Sequence, residues 1–185
     1  MITSVTRDDL ADGGALMFHR TIKAIKQMNP GCKVEVLIPD FNGDDNALRL
    51  VLSAGPDILN HNIEVVKELF PSCRPEGSYE RSLRLLRDSK KFYGRIPTKS
   101  GCMIGLGETL DQIVQLFHDL RDAQVDMLTI GQYLQPSPGH VCVEKYYTPE
   151  EFSELKQRAL AEGFLHVESG PLVRSSYHAE QAFSV

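Results

Sequence analysis

The chain lacks the features that mark several large protein classes. It has no apolar run near the roughly 18 residues of a membrane span and no signal-peptide pattern after Met1. It has no low-complexity segment and no excess of positive charge, because its net charge is −5 and its pI is about 5.7. These absences disfavour a membrane protein, a disordered chain and a nucleic-acid-binding protein. We expect a cytoplasmic protein, or a mitochondrial one in a eukaryote, although no transit peptide is visible.

Cysteine is scarce and scattered. The chain has four cysteines, and no pair of them has the close spacing that is usual in zinc or iron–sulfur sites. The sequence therefore shows no cysteine-based metal motif. Cys102 lies in an apolar run and is interpreted as a small buried residue.

What the chain does contain is a regular alternation of short β-type runs and amphipathic stretches. This alternation is typical of βα units around a parallel sheet, so the predicted fold class is α/β. No linker or break in composition divides the 185 residues, and we expect one domain, 1–185, with a polar tail at 170–185. Strands are predicted at residues 2–5, 33–38, 58–60, 97–104, 127–130 and 165–170.

Helices are predicted between most of these strands. The clearest are two that begin with capping boxes, Thr109 with Gln112 and Thr148 with Glu151, in which each side chain binds a free amide of the first turn. Pro149 follows the second cap, and Gly163 is the expected stop. Further helices are predicted at residues 14–28, 45–54, 63–70 and 78–89.

Ligands bind at the carboxyl ends of the strands in parallel sheets and barrels, so the segments that follow the strands are the candidate sites. Asp12-Gly13-Gly14 precedes a helix, where backbone amides suit a carboxylate and Asp12 suits an ammonium; a simple capping loop is the alternative. Asn60 and Asn62 flank His61 and suit the hydroxyls of a ribose. His61 itself is interpreted as structural.

Two later segments are rich in glycine and amides. Residues 105–109 contain Gly105 and Gly107, which let a flat or phosphorylated ligand approach the backbone, although the spacing is neither a P-loop nor a dinucleotide fingerprint. Residues 131–138 have two equally supported interpretations: they line the edge of a planar base, or they only pack as a loop. Lys99 permits a Schiff-base hypothesis, as in an aldolase, but an ion-paired lysine explains the sequence equally well.

A basic stripe lies on the helix predicted at residues 78–89. Arginines recur there at three-residue steps and are followed by two lysines, and the stripe consists of Arg81, Arg84, Arg87, Lys90 and Lys91. The pattern indicates a solvated helix face, and docking of an acidic protein is the alternative.

Nine strings of the chain resemble lipoyl synthases. They occur in the family's order and with its spacing over nearly the whole chain, and they lie at residues 3–5, 7–10, 35–41, 60–62, 78–83, 97–101, 105–109, 128–137 and 170–179. The resemblance implies a partial (β/α) barrel of the radical S-adenosylmethionine type. It also implies an enzyme that inserts sulfur into a protein-bound octanoyl group to make the lipoyl cofactor.

The same resemblance implies cofactors and a partner. In this family S-adenosylmethionine is cleaved at one 4Fe–4S cluster, and a second, auxiliary 4Fe–4S cluster is the sulfur donor. The implied partner is an octanoylated lipoyl-carrier domain or H protein. No nucleic acid or membrane is implied.

Site residues follow from the resemblance position by position. The methionyl amino group would meet Asp12, Gly13 and Gly14, and the ribose would meet Asn60 and Asn62. One serine of the tail, Ser175 or Ser176, resembles the oxygen ligand of the auxiliary cluster. The adenine side would be formed by Ile104, Gly105, Gly107, Gln132, Tyr133 and Leu134.

One departure from the family pattern is large. Both cysteine runs that hold the family's clusters lie upstream of Thr3-Ser4-Val5, and neither is present here. We therefore expect the C-terminal barrel portion of a lipoyl synthase, inactive until a cluster-binding segment is supplied in cis or in trans. The alternative is a module that binds S-adenosylmethionine and acyl-lysine without catalysis, or a subunit of a split enzyme.

Overall fold

The computed structural model describes residues 1–178 and contains one six-stranded sheet. All neighbouring strands are parallel, and their order in the sheet is their order in the chain. The predicted α/β class is confirmed, and the sheet is an open, unclosed barrel wall in the part of the chain that is described. The strands are β1 Ile2–Thr3, β2 Glu35–Leu37, β3 Ile58–Asn60, β4 Thr98–Ile104, β5 Met127–Gln132 and β6 His166–Gly170.

Helices connect the strands and cover one face of the sheet. Both predicted capping boxes are present, at Thr109 with Gln112 and at Thr148 with Glu151. None of the helices in residues 1–178 is both long enough and apolar enough to cross a membrane. The helices are α1 Ala15–Met28, α2 Asp45–Ser53, α3 Phe70–Cys73, α4 Tyr79–Tyr93, α5 Leu110–Asp122 and α6 Pro149–Ala161.

The two faces of the sheet differ in polarity. Val36, Leu59 and Ile130 are fully buried in the apolar core, together with helix residues such as Leu86 and Phe117. Because successive side chains of a strand point to opposite faces, the neighbours of these residues face the inside of the barrel wall. Polar side chains therefore line the inward face without disturbing the apolar core.

The helix predicted at residues 63–70 is wrong for residues 63–66, whereas Lys67–Leu69 form a 3₁₀-helix and Phe70 begins α3. Ile63 is fully buried, and Glu64 pairs with Cys102 of β4 in an isolated parallel bridge. The Glu64 amide donates to the Gly101 carbonyl at 3.0 Å, and the Glu64 carbonyl accepts from the Met103 amide at 2.7 Å. Since β4 extends beyond the three residues of β3, this segment binds backbone groups of β4 that would otherwise be unpaired.

The first strand is also shorter than expected. It ends at Thr3, whereas residues 2–5 were predicted, and Ser4 and Val5 are exposed. Its register pairs Ile2 with Val36 and Thr3 with Leu37. β2 ends at Leu37, the partner of Thr3, so the β-type residues after Thr3 have no residue of β2 left to pair with.

Candidate functional site

A buried polar cluster lies on the inward face of β2, β3 and β4. Glu35, Asn60 and Lys99 are each at most 2% exposed. The Lys99 Nζ lies 3.1 Å from Glu35 Oε1, and the Asn60 amide donates to the same oxygen at 3.2 Å. A buried ammonium must be paired to remain charged, and Glu35 supplies that partner. Lys99 is therefore ion-paired, as one of its two sequence interpretations requires.

Ser175, which follows β6, packs against this cluster. Lys99 Nζ donates to the Ser175 carbonyl at 2.7 Å, while the Ser175 hydroxyl donates to Asn62 Oδ1 at 3.1 Å and accepts from Asn62 Nδ2 at 2.9 Å. A cavity of about 80 Å³ lies beside this contact, between Asn62, Gly101, Thr129 and Ser175. The structure thus brings together three predicted residues, Asn60, Asn62 and Ser175.

The neighbouring residues of the tail take different positions. Ser176 is exposed, whereas Ser175 is half-buried against Asn62. Ala179, the last residue of the family-like tail string, lies outside the described residues. Of the two serines, Ser175 is the one that faces the inward wall.

The loop after β4 is organised by one carboxylate. Glu108 accepts from the Gly105 amide at 2.7 Å and from the Leu106 amide at 2.9 Å. It also accepts from the Tyr147 hydroxyl at 3.0 Å, and burial together with the nearby Glu108 charge raises the Tyr147 pKa. Gly105 has a φ of +109° and Gly107 a φ of +101°, conformations that favour glycine.

The loop after β5 is bound to the loop after β4. Gln132 is buried and donates to the carbonyls of Ile104, Tyr133 and Lys145 at 3.2, 3.0 and 3.0 Å. The Tyr133 amide donates to the Ile104 carbonyl at 2.8 Å. Four predicted adenine-side residues, Ile104, Gly105, Gln132 and Tyr133, therefore form one hydrogen-bonded rim at adjacent strand ends. Gly107 and Leu134 are exposed beside them.

Asp12 caps α1. Its carboxylate accepts from the Leu16 amide at 2.8 Å and from the Gly14 amide at 3.0 Å, and these two bonds lower the Asp12 pKa. Gly13 and Gly14 both have positive φ, and a Cβ on Gly13 would meet the Phe41 ring at 2.9 Å. In the described residues, no hydrogen bond joins this loop to Asn62 or Ser175. The capping alternative explains its contacts.

His61 has a structural position, as interpreted from the sequence. It is 6% exposed, with Nδ1 2.9 Å from the Ile38 carbonyl and Nε2 3.0 Å from the Ser82 hydroxyl. Desolvation lowers its pKa. A neutral imidazole that uses both ring nitrogens in structural bonds is not free for acid–base work.

Three residues of the basic stripe make contacts within the chain. Arg81 binds Asp40 at 2.6 Å, Arg84 donates to the Gly43 carbonyl at 2.8 Å, and Lys90 binds Asp126 at 2.5 Å. These contacts anchor α4 to the loop after β2 and to Asp126, the residue before β5. Arg84, Arg87 and Lys91 are exposed, so docking of an acidic protein stays a prediction.

The described residues do not supply the ligands of an iron–sulfur cluster. Across residues 1–178, no group of three or more His, Cys, Asp or Glu side chains is placed to hold a metal ion. Cys32 and Cys142 are exposed, Cys73 is half-buried, and Cys102 is buried, where desolvation raises its thiol pKa. An iron–sulfur cluster therefore does not fit these residues alone.

The comparisons with known proteins agree with this geometry. Residues 1–120 match the model of the radical SAM superfamily, and the chain belongs to that superfamily. Over 181 residues, 98% of the chain, it is 55% identical to the lipoyl synthases of Halalkalibacterium halodurans and Rubrobacter xylanophilus. It spans 60% and 56% of those two proteins. The resemblance drawn from the nine strings is thereby confirmed.

One solved structure supports the fold. The crystal structure of methylornithine synthase is 15% identical to the chain and matches it with a TM-score of 0.59, over 86% of this chain and 54% of that one. The superfamily and the lipoyl synthase relatives imply S-adenosylmethionine and 4Fe–4S clusters as cofactors. The match to methylornithine synthase concerns the fold alone.

Two carboxylates of the site were not anticipated from the sequence. Glu35 lies within a short apolar strand, and a lone acid between Val34 and Val36 is a signal for a buried ion pair. Glu108 follows two glycines at a strand end, where a carboxylate is suited to bind free amides. Lys99, the partner of Glu35, is distant in the chain, whereas the two amides that bind Glu108 lie two and three residues before it.

Proposed function

We propose that this chain is the barrel portion of a lipoyl synthase, the part that binds S-adenosylmethionine and the octanoyl group at the carboxyl ends of β3, β4 and β5. The observation that carries the proposal is that Asn62, Lys99 and Ser175 meet on the inward face of the sheet. This place, beside the cavity between Asn62, Gly101, Thr129 and Ser175, is called the mouth below. It is supported by 51–55% identity to lipoyl synthases over nearly the whole chain. The single sheet is consistent with one domain.

The rim after β4 and β5 is suited to a nucleoside. Gly107 is exposed at this rim and carries no side chain, so a flat ring can approach its backbone, and Leu134 offers exposed apolar surface nearby. Asn60 Oδ1 and Glu35 Oε2 are buried and have no donor within the described residues. The inner wall therefore has unused acceptors that suit hydroxyl donors such as those of a ribose.

The chain's own residues would bind, orient and exclude water. The cofactors supply the hydrogen-removing and sulfur-donating chemistry when they are bound. Asp12, Gly13 and Gly14 would face the methionyl end, as the resemblance implies, and the Ser175 hydroxyl would face the auxiliary cluster. The partner we propose is an octanoylated carrier domain or H protein in the cytoplasm, with the cluster-binding segment supplied in cis or in trans.

A chimaera tests this function. This chain replaces the matching 181 residues of the Halalkalibacterium halodurans lipoyl synthase, and mass spectrometry of an octanoylated carrier measures lipoyl formation under anaerobic conditions. We expect lipoyl product from the chimaera and loss of product from its Ser175→Ala variant, with Ser176→Ala as the matched control. A folded, cofactor-loaded chimaera that makes no lipoyl product would contradict the proposal.

A non-catalytic module is the second candidate, and one observation favours it: in residues 1–178 no group of side chains is placed to hold a metal ion. In that case the chimaera binds S-adenosylmethionine but leaves the octanoyl carrier unchanged. Product formation would exclude this alternative.

A further inference from the structure

The C-terminal segment, defined here as residues 173–176, contacts three elements of the inward wall. Its Val173 carbonyl packs on Gly131 of β5, where an added Cβ would clash. Its Ser175 binds Asn62 after β3 and Lys99 of β4. The segment therefore lies across the mouth, although it contributes no strand to the sheet.

Lys99 is the one charged group among these contacts to Ser175. Its ammonium is held on one side by Glu35, and Glu35 is itself held by Asn60. On the other side the ammonium donates to the Ser175 carbonyl at 2.7 Å. A charge-assisted hydrogen bond in a site shielded from water is stronger than a neutral one.

The two bonds that hold Ser175 differ in kind. The bond from Lys99 is made to a main-chain carbonyl, which any residue at this position would present. The bonds to Asn62 use the hydroxyl, which only the serine side chain supplies. With the carbonyl fixed by Lys99, the direction of the hydroxyl is limited to the remaining rotation about the side-chain bond.

We propose that Lys99 is a positioning residue: the Glu35-paired ammonium binds the Ser175 carbonyl, fixes the C-terminal segment across the mouth and so sets where the Ser175 hydroxyl points. The positioning role of Lys99 rests on the proposed function in one respect, because that function gives Ser175 its role at the site. The contact itself does not depend on that function. In the described structure, the Ser175 hydroxyl donates a hydrogen bond to Asn62 Oδ1.

Hydrogen exchange measures the attachment directly. In the full chain, Lys99→Met with Glu35→Leu removes both charges and leaves no unpaired ion in the interior. We expect amide exchange in residues 173–178 to become about tenfold faster or more, with β5 amides unchanged. The Val173 and Tyr177 amides are the reporters, because they donate to Gly170 and Arg174 carbonyls at 3.1 and 2.8 Å.

Matched variants separate positioning from general stability. Lys67→Met with Glu80→Leu removes a surface pair of similar length, 2.9 Å, and we expect it to leave exchange of the C-terminal segment unchanged. Ser175→Ala removes the hydroxyl but keeps the carbonyl, so exchange should stay slow. If the Lys99 and Glu35 double variant does not fold, Glu35→Gln with Lys99→Gln provides a neutral polar pair for the same measurement, and we expect the same acceleration.

Two results would overturn the positioning role. One is slow exchange in residues 173–178 after loss of the ion pair. The other is release of the segment by Ser175→Ala to the same degree as by the ion-pair variant. Neither result bears on lipoyl formation, which the chimaera measures separately, so failure of this inference and failure of the proposed function are distinguishable.

Discussion

At the scale of single residues, the inward wall depends on a buried charge pair. Glu35 and Lys99 are 1% and 2% exposed, and Asn60 is the other side chain that donates to Glu35 in the described residues. Two ions are costly to bury, but removing one alone is worse, because the other keeps its charge without a partner. The pair is therefore a sensitive point for stability as well as for the site.

Lys99→Met should destabilise the chain more than the double variant does. We expect a loss of about 3 to 5 kcal/mol for the single change and a clearly smaller loss when Glu35→Leu is added. Urea unfolding followed by circular dichroism measures both. Equal losses for the single and double variants would contradict a coupled ion pair.

His61 should make stability depend on pH. Its pKa in the folded protein is lowered from 6.5 by desolvation, so the unfolded state binds the extra proton and stability falls as pH drops below about 6.5, by up to about 1.4 kcal/mol per pH unit. His61→Gln should flatten the profile between pH 7.5 and 5.5. His166→Gln is the comparison variant. The pKa of His166 is also lowered by desolvation, but its ring is less buried than that of His61. An unchanged profile in His61→Gln would count against the assignment.

At the scale of elements, the loop after β4 connects the rim to the rest of the site. A Cβ at Gly105 would meet the Gln132 amide and lie 2.5 Å from the Lys145 carbonyl. Gly31 also has positive φ, but an added Cβ there would meet nothing within 4 Å. The two glycines thus separate the effect of crowding from the effect of backbone conformation.

Gly105→Ala should destabilise the chain by about 3 kcal/mol or more, because crowding adds to strain. Gly31→Ala should cost about 1 kcal/mol, the penalty of the left-handed conformation alone. Chemical denaturation of both variants measures the difference. Similar losses would show that the rim tolerates a side chain at Gly105.

Sequence signals predicted an element well where that element depends on residues close together in the chain. The capping boxes at Thr109 and Thr148 appear in the structure because each depends on residues three positions apart. The helix predicted at residues 63–70 is wrong for residues 63–66, because the buried residues Ile63 and Val65 pack beside β4, and spacing alone does not show this. Helical and extended buried segments are difficult to separate over so few residues.

The sequence predicted which segments form the candidate site, but only some of the contacts between their side chains. The rule that ligands bind at carboxyl ends of strands selected segments that the structure places at adjacent strand ends, including Asn62 and the residues after Gly105, and their ligand-binding roles stay predictions. The partners of Lys99 were not predictable, because Glu35 and Ser175 are far from it in the chain. For the tail, composition alone indicated a frayed end, and only the family resemblance singled out its serines.

At the scale of the whole molecule, the chain combines an open wall of six parallel strands with scattered cysteines. It spans about three-fifths of the lipoyl synthases it matches. Within residues 1–178, the side chains do not form a metal site. The wall and the cluster ligands are therefore separate contributions to the activity we propose.

The full chain alone should not load a stoichiometric iron–sulfur cluster. Anaerobic reconstitution with iron and sulfide, followed by metal and sulfide analysis and visible absorbance, should give far less than one cluster per chain, because thiolates hold such clusters and these four are dispersed. The chimaera is the positive control. A full cluster on the chain alone would contradict the placement of Cys32, Cys73, Cys102 and Cys142.

The most direct test of the central claim locates bound S-adenosylmethionine in the chimaera. Ultraviolet cross-linking followed by peptide mapping reports which segments touch the nucleoside. We predict cross-links in residues 104–108 and 131–138, at the carboxyl ends of β4 and β5. Cross-links confined to the opposite ends of the strands, at residues 29–34 or 123–126, would contradict the account.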